Sequence, residues 1–262
     1  MPSAIPRTHR ARNTNRFESE STAESRWHVH AGGQFILVES GISHLRTEIG
    51  SWIIPTRRVG WVPPRLLHAS RSSGRGKGWA IRVPISLSRT LPAQVSVLRA
   101  SGLMVAALER IAHATAPRHA PIRRLLWRVV AAEMRQAEPE ALLVPMPSDP
   151  RMRATAEGLL SSPGIGADVT RAANLSGMTR RTFTRHFRHE TGMSFARWKR
   201  AAIAHHALER IAAGQKVSAV AFDVGYSSVS AFVAMMHRQL GAAPREFLSQ
   251  HSEEYLSLSH GD

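Results

Sequence analysis

Apolar positions change their spacing along the chain, and each spacing predicts a different kind of element. Between residues 27 and 92 they form short runs that glycine and proline separate, and residues 72–78 are rich in glycine and serine. These runs predict β-strands at residues 35–39, 44–47, 52–54, 59–62 and 79–83. Short, regularly spaced strands are typical of a small barrel or sandwich, and a small barrel can enclose one ligand.

From residue 94 the apolar positions follow the period of amphipathic helices. One helix, or a helix pair, carries apolar residues from Val97 to Ile111 with Gly102 inside it. Another follows Pro121 and extends to Met134. The segment LLVPMPSDP at residues 142–150 contains three prolines, which predicts a linker between two domains.

The segment MTRRTFTRHFRHETG at residues 178–192 predicts a short, basic helix. Thr179 can cap its first turn, and Gly192 can end it. Phe183 and Phe187 are four residues apart and face inward together, which leaves the arginines on the other faces. Residues 168–174 predict a preceding helix and residues 175–178 a turn. The pattern is helix, turn, helix, and a basic capped helix of this kind suits a DNA major groove.

A second copy of this unit follows. FTRHFRHETG at residues 183–192 is matched by FVAMMHRQLG at residues 232–241, and a turn with small residues precedes each copy. The segment between the copies, residues 194–213, predicts a helix about 30 Å long. One turn of B-DNA is about 34 Å, so two helices joined in this way can enter adjacent major grooves.

Charge and composition agree with a nucleic-acid partner. The 262-residue chain has a formal net charge of +16 and a pI near 11.7, which favours a polyanion as partner. The absence of cysteine excludes disulfides and thiolate metal sites. Residues 1–25 lack the apolar core of a signal peptide and predict a disordered basic arm, and residues 251–262 a flexible tail. With no apolar run long enough to span a membrane, we expect a cytoplasmic protein.

The N-terminal strands also carry a group of polar and aromatic residues that predicts an effector pocket. His28 and His30 alternate on a strand and therefore point to the same side, and His68 follows on a later strand. Three histidines can hold a divalent metal, but they can also hydrogen-bond within a polar pocket. We favour pocket lining without a metal or cofactor. The expected pocket residues are His28, His30, Gln34, Trp61 and His68.

These segments resemble a known family. The texts GMTRRTFTRHFRHETGMSF at residues 177–195, VSAVAFDVGYSSVSAF at 217–232 and LGAAPREF at 240–247 resemble the tandem helix-turn-helix domain of AraC/XylS-type transcription regulators. HVHAGGQ at 28–34, ESG at 39–41, GSWIIP at 50–55 and GWVPP at 60–64 are similar to the cupin sensor domain of one branch of that family. The resemblance implies an operator DNA, a small-molecule effector and RNA polymerase as partners.

The sequence departs from the family pattern at five positions. Ile203 and Ala234 stand where arginine is usual, and Arg65 stands where glycine follows the double proline; the other two departures are Val229 and Met236. We therefore expect unequal DNA-reading units. The first unit is expected to supply most base readout, and the second to grip phosphate, with Val229 in van der Waals contact. The expected DNA-binding residues are Thr179, Arg180, Arg181, Thr184, Arg185, Ser228, Val229, Ser230 and Arg238.

Together these observations predict an α+β protein of two domains. A small cupin-like β-barrel at residues 26–93 with a helical connecting or dimerisation segment at 94–141 precedes an all-α tandem helix-turn-helix domain at 151–250. We expect a homodimeric, effector-responsive transcription regulator, because tandem DNA half-sites usually call for paired readers. The alternatives are a metal-dependent cupin enzyme fused to a DNA-binding domain and a non-specific architectural DNA binder. No nucleophile elbow, phosphate loop or catalytic acid pair is present, so we expect no enzyme.

Overall fold

The computed structural model describes residues 14–19, 23–56, 58–140, 142–164 and 168–249. The chain divides into two compact units. Among the described residues, the first unit contains those up to Thr47 together with Ile53–Glu140. The second contains Glu48–Trp52 and residues 142–249. The predicted basic arm lies partly, and the predicted tail wholly, outside the described residues, at positions 1–13, 20–22 and 251–262.

An antiparallel sheet forms most of the first unit. Its two long strands are paired with each other along their length, from Gln34 opposite Arg82 to Thr47 opposite His68. The long strand at residues 34–47 also pairs with a short strand at residues 58–62, and that short strand pairs with a strand at residues 96–99. The strands are β1 (Thr14–Ser19), β2 (Ala23–Glu24), β3 (Gln34–Thr47), β4 (Gly50–Pro55), β5 (Arg58–Val62), β6 (His68–Arg82) and β7 (Ser96–Arg99).

Two of the predicted strand boundaries were wrong because strands continue through glycine. Residues 35–39 and 44–47 belong to one strand, β3, whose register shifts around Gly41. The glycine-rich stretch at residues 72–78 lies inside β6 rather than in a turn. Gly78 fits there because neighbouring strands approach closely: a Cβ atom would lie 2.2 Å from the carbonyl oxygen of Leu37 and 2.5 Å from the ring of Phe17.

The predicted disordered arm is also corrected where the structure describes it. Thr14–Ser19 forms β1 and pairs antiparallel with β6, from Thr14 opposite Ile81 to Ser19 opposite Gly76. β2 pairs with the same strand. A polar strand such as TNRFES has no apolar alternation to announce it, and its backbone groups are satisfied by the neighbouring strand instead.

Helices complete the first unit: α1 (Ile85–Ser88), α2 (Gly102–His113) and α3 (Ala120–Gln136), with a short 3₁₀ helix at Pro117–His119. The predicted helix from residue 94 was wrong at its start, because residues 96–99 form β7 and pair with β5. α2 begins after Ser101, whose hydroxyl accepts from the N–H of Met104 at 3.0 Å. Strands and helices share one core, which contains Phe35, Trp61, Leu108, Trp127 and Val130.

The second unit begins with a strand where a linker was predicted. β8 (Leu143–Pro145) pairs antiparallel with Gly50–Trp52. The indole N–H of Trp198 donates to the carbonyl oxygen of Pro145 at 2.6 Å. The Nε2 atom of His205 lies 2.9 Å from the carbonyl oxygen of Leu142. The prolines therefore mark an ordered extended segment, because its carbonyl groups find partners on a long helix.

Seven helices of the second unit lie close to the predicted positions: α4 (Pro150–Ser161), α5 (Val169–Leu175), α6 (Arg180–Thr191), α7 (Phe195–Ala212), α8 (Val217–Asp223), α9 (Val229–Leu240) and α10 (Pro244–Ser249). Five begin at a side-chain cap, namely Asp149, Asp168, Thr179, Ser194 and Ser228. Gly192 and Gly241 end α6 and α9 in the left-handed conformation. These ends were predictable because caps are local signals.

An aromatic cluster fixes the position of α6 on α7. Phe183 and Phe187 of α6 pack edge to face against Phe195, with ring centroids 5.4 Å apart in both pairs. Trp198 packs edge to face on Phe187 at 5.5 Å. All four side chains are buried, as the spacing of the two phenylalanines predicts. In the described part of the chain, no helix has the length and apolar character needed to cross a membrane.

A buried ion pair in the first unit should make a large contribution to stability. The side chain of Arg58 is 1% exposed, and its Nε atom donates to Glu140 Oε1 at 2.7 Å. Glu140→Ala should lower the free energy of unfolding by about 3–5 kcal/mol, because it leaves a buried guanidinium without its carboxylate. Urea denaturation of the full chain measures the change.

The matched control is Glu138→Ala, which removes an exposed carboxylate from the same segment. It should change stability by no more than about 0.5 kcal/mol. Equal effects of the two substitutions would contradict the assignment of stability to the Arg58–Glu140 pair.

Candidate nucleic-acid interface and ligand cavity

The first helix-turn-helix unit consists of α5, a tight turn and α6. In the turn, the N–H of Met178 donates to the carbonyl oxygen of Ala173 at 2.9 Å, and Gly177 has a φ of 64°. The hydroxyls of Thr155 and Ser176 lie 2.9 Å apart and are buried, which ties the turn to α4. The turn geometry is therefore fixed from both sides, and with it the direction in which α6 leaves.

The face of α6 opposite the phenylalanines is basic and open to solvent. Its exposed side chains are those of Arg180, Arg181, Thr184, Arg185 and Arg188. Thr179, the cap, is exposed as well and accepts from the N–H of Thr182 at 3.2 Å. None of the ion pairs between described residues uses the arginines of this helix. Their guanidinium groups are available to a ligand.

Glu190, the acidic residue of α6, forms its hydrogen bonds at the start of α4 and not on the basic face. Glu190 Oε2 accepts from the N–H groups of Ser148 and Asp149 at 2.7 and 3.0 Å, at the start of α4. Burial raises the pKa of Glu190, but the hydrogen bonds from Asp149 and Ser148 outweigh it, so its pKa lies below the usual value. A carboxylate that would repel phosphate is thus engaged elsewhere as an ionised acceptor.

The second helix-turn-helix unit has the same plan with a weaker charge. α8 and α9 flank a turn in which Gly225 has a φ of 95°. Ser228 caps α9 by accepting from the N–H of Ala231 at 3.2 Å. The buried side chains of α9 are Phe232, Met235 and Met236, where the recognition helix of the first helix-turn-helix unit buries two phenylalanines. The exposed candidates are Ser228, Ser230 and Arg238, with Val229 partly exposed.

One residue beside this turn was not singled out from the sequence. Tyr226 packs edge to face on Phe232 with ring centroids 5.5 Å apart. Burial raises the pKa of Tyr226 above its usual value, so the phenol keeps its proton at neutral pH. Tyr226 thus packs from beside the turn of the second helix-turn-helix unit, whereas the packed aromatic side chains of the first helix-turn-helix unit lie within its helices.

A cavity of about 1050 Å³ lies within the first unit. Apolar lining comes from Trp79, Val83, Ile111 and Trp127, and Gly32 and Gly33 bring the backbone to its wall. Of the five predicted pocket residues, His30 lines this cavity. Trp61 is a core residue instead: it is fully buried, packs on Phe35 and donates its indole N–H to Pro92. Gln34 is buried in β3.

Two cations on the cavity wall were missed by the sequence analysis. Arg82 ends β6, and burial lowers its pKa to about 10, so it remains charged at neutral pH. Arg123 reaches the wall from α3 and donates from Nη1 to the carbonyl oxygen of Ala114 at 3.1 Å. Neither forms an ion pair among those between described residues. The cavity therefore combines aromatic walls with a positive potential.

The three histidines named from the sequence do come together. The ring centroids of His28, His30 and His68 are 4.4–4.8 Å apart. His28 Nδ1 lies 2.7 Å from the carbonyl oxygen of Arg26, and His68 Nδ1 lies 2.8 Å from that of Leu66. Burial lowers the pKa of His68 to about 4, so this imidazole is neutral near pH 7. Three imidazole rings in contact could hold a metal ion.

Comparisons with known proteins agree with this geometry. The helix-turn-helix domain family matches residues 172–250. The chain is 27% identical over 224 residues to the HTH-type transcriptional regulator NimR of Escherichia coli, covering 85% of this chain and 82% of that protein. It is 32% identical over 103 residues to the HTH-type transcriptional regulator RipA of Corynebacterium glutamicum, covering 39% of this chain and 31% of that protein.

A solved structure of ToxT from Vibrio cholerae matches with a TM-score of 0.40 at 13% identity, covering 92% of this chain and 98% of that one. The sequence relatives are transcription regulators and not members of an enzyme family. Two helix-turn-helix units with an open basic helix are what such regulators require of a DNA-binding domain. Residues 172–250 therefore belong to the helix-turn-helix domain family, and the chain is similar over most of its length to a helix-turn-helix transcription regulator.

Proposed function

We propose that the chain is a sequence-specific regulator in which a small-molecule effector bound by the first unit changes the DNA affinity of the second. The observation that carries the DNA part is the set of exposed arginines on α6 that have no carboxylate partner in the described structure. The cap at Thr179 and the inward phenylalanines hold this helix in one orientation. A preformed basic helix binds a major groove without a further ordering cost.

In this proposal, the first helix-turn-helix unit, α5 and α6, reads the bases. Arg181, Thr184 and Arg185 follow one another at spacings of three and one along α6, on the side away from Phe183 and Phe187. A guanidinium can bond guanine O6 and N7 together, which distinguishes guanine from the other bases. Thr179 and Arg180 sit at the helix N-terminus, where phosphate is also favoured by the helix dipole.

In the same proposal, the second helix-turn-helix unit, α8 and α9, contacts phosphate. The amino-terminal turn of α9 offers the hydroxyls of Ser228 and Ser230 and the methyl groups of Val229, while Arg238 lies in its last turn. Hydroxyls and isolated cations fix the position of a protein on the duplex without reading bases. The two helix-turn-helix units then have different roles: the first selects the DNA sequence, and the second fixes the position of the protein on the duplex.

The effector site in this proposal is the cavity of the first unit, in a sheet that we infer to be a cupin-like barrel. Its aromatic walls suit a flat or apolar body, and Arg82 and Arg123 suit a carboxylate or another anion. The volume is that of a site for a small molecule. His28, His30 and His68 lie at one side of this site, as His30 is part of the cavity wall.

We further propose that the active form is a homodimer that acts on RNA polymerase at its promoters. α3 carries Ile122 and Leu125, three residues apart, with exposed fractions of 41% and 56%. Exposed apolar side chains at helical spacing are typical of an interface, and a second copy of the chain presents the same stripe to them.

Replacing Arg185 should separate base reading from general DNA affinity. Arg185→Ala should weaken operator binding by about 1–3 kcal/mol, or roughly 5- to 150-fold, and relax the preference at one base pair. The operator is first selected from genomic fragments, and fluorescence anisotropy then measures affinity for operator and scrambled DNA. Arg238→Ala should instead weaken both affinities equally and reduce the salt slope by about one.

The control for charge is Arg89→Ala, an exposed arginine of the first unit. It should leave both affinities within about twofold, since it lies outside the helix-turn-helix units. If Arg185→Ala weakened operator and scrambled DNA equally, α6 would grip phosphate only, and the chain would be an architectural binder.

Replacing Leu125 should test the dimer. Leu125→Glu should shift the dimer toward monomer at least tenfold, because two carboxylates would be buried against an apolar partner face. Analytical ultracentrifugation over a range of protein concentrations measures the shift. Leu175→Glu is the matched control, since Leu175 is exposed by 63% but lies in the second unit; a monomeric wild-type protein, or equal effects, would contradict the proposal.

Replacing Arg82 should test the charge of the effector. Benzoate and 2-naphthoate, with their uncharged amides as counterparts, serve as probes, and Trp79 and Trp127 report binding by fluorescence. We expect the carboxylates to bind more tightly than the amides. Arg82→Met, which keeps the apolar stem, should weaken carboxylate binding by about tenfold or more.

Arg89→Met controls for the loss of one charge elsewhere in the first unit and should leave probe binding unchanged. Amides that bind as tightly as the acids would show that the arginines do not receive the ligand.

A further inference from the structure

We propose that His28, His30 and His68 form a three-histidine site for one divalent transition-metal ion such as Zn²⁺. This goes beyond the sequence expectation, which assigned the three side chains to a pocket without metal. One candidate ligand atom from each residue lies within 4.8 Å of the others. Among the described residues, this is the single group of three or more histidines or acids that lie so close together.

The hydrogen bonds of two rings prepare them as ligands. A carbonyl oxygen only accepts, so the contacts of His28 with Arg26 and of His68 with Leu66 place the proton on Nδ1. The neutral ring then has a free electron pair on Nε2. A ring N–H bound to a backbone carbonyl is the arrangement that orients metal-binding histidines in proteins.

Two of the Nε2 atoms are buried without a partner. His68 is fully buried and His30 is 8% exposed, and the Nε2 atom of each lacks a hydrogen-bond partner among the described residues. Burying a polar nitrogen without a partner costs free energy of the order of a lost hydrogen bond. A cation bound between the rings would remove this cost at both atoms at once.

The backbone beneath the rings is fixed. His28 and His68 exchange two hydrogen bonds, with N···O distances of 2.9 and 3.0 Å. The N–H of Arg65 donates to the carbonyl oxygen of His30 at 2.8 Å. Arg65 holds a φ of 60°, so it keeps the left-handed turn although it stands where the family has glycine. The replacement of that glycine therefore leaves the path of the chain toward His68 intact.

The donor set indicates the kind of ion. Imidazole nitrogen suits Zn²⁺, Co²⁺, Ni²⁺ and Cu²⁺, whereas Mg²⁺ and Ca²⁺ require oxygen ligands. Bonds of about 2.0–2.1 Å at tetrahedral angles would bring the nitrogens to about 3.3 Å from each other. Small side-chain rotations of the three rings supply this contraction. Three ligands leave a fourth position for water or an anion, and His30 places the ion at the cavity wall.

The test is metal binding by full-length protein without a histidine tag, after dialysis against a chelator. Calorimetric titration with Zn²⁺ should give one ion per chain, and Zn²⁺ should raise the apparent melting temperature by about 4 °C or more at saturation. Titration with Co²⁺ should produce the visible absorption of a four-coordinate ion. None of these readouts depends on DNA or on an effector, so they are independent of the proposed function.

Substitutions assign the site. His68→Gln and His28→Gln should each weaken Zn²⁺ binding by about 100-fold and remove the Co²⁺ absorption. His113→Gln is the matched control, because His113 lines the same cavity outside the cluster; it should bind Zn²⁺ as the wild type does. His28 is only half-buried, so its variant decides the matter if His68→Gln fails to fold.

Two results would overturn the proposal. One is a wild-type protein that takes up neither Zn²⁺ nor Co²⁺ after dialysis. The other is uptake that both cluster variants retain at the affinity of His113→Gln, since the ion would then bind to histidines elsewhere on the surface.

Discussion

The packing of four aromatic rings determines what the second unit can offer to DNA. Phe183 and Phe187 are held edge to face against Phe195 and Trp198, so α6 cannot rotate about its axis without opening the core. Because the arginines of α6 occupy its remaining faces, their exposure is a consequence of this packing. Trp198 also donates to Pro145, so the same residue fastens the entering strand β8. One aromatic cluster thus connects the core, the start of the unit and the orientation of the basic face.

The helices of the second unit could be predicted from the sequence because their signals are local. A hydroxyl or carboxylate cap, a period of three to four and a terminal glycine lie within one or two turns of each other. The strands that were missed depend on partners far along the chain: β1 on β6, β7 on β5 and β8 on residues 50–52. Their segments are polar, short or rich in proline, so no alternation of apolar and polar residues predicts them as strands. What decides their conformation is the need of backbone groups for partners.

The candidate sites divide in the same way. The arginines of α6 and the cap at Thr179 could be identified because one helix carries all of them. The three histidines could be grouped because His28 and His30 share a strand-like segment and His68 starts another, although their contact needed the structure. The cations of the cavity could not be found, because Arg82 ends a strand and Arg123 lies on a helix 41 residues later in a chain that is rich in arginine throughout. Trp61 was assigned to the pocket, but its indole N–H finds a carbonyl partner within the core.

The cavity and the histidine cluster impose the same condition on an effector. Arg82 and Arg123 already make the cavity positive, and a divalent ion held by the three imidazoles would add two positive charges. Among the described residues, no carboxylate belongs to the histidine cluster or lines the cavity. Glu39, an acid of the sheet, is engaged by the indole of Trp79 and by Arg16. At an effective dielectric constant near 20, a charge pair 4 Å apart is worth about 4 kcal/mol, so an anionic group gains much more here than a neutral one of equal size. Selection of the effector by charge then follows from the arrangement of the wall, and the aromatic side chains are left to select its shape.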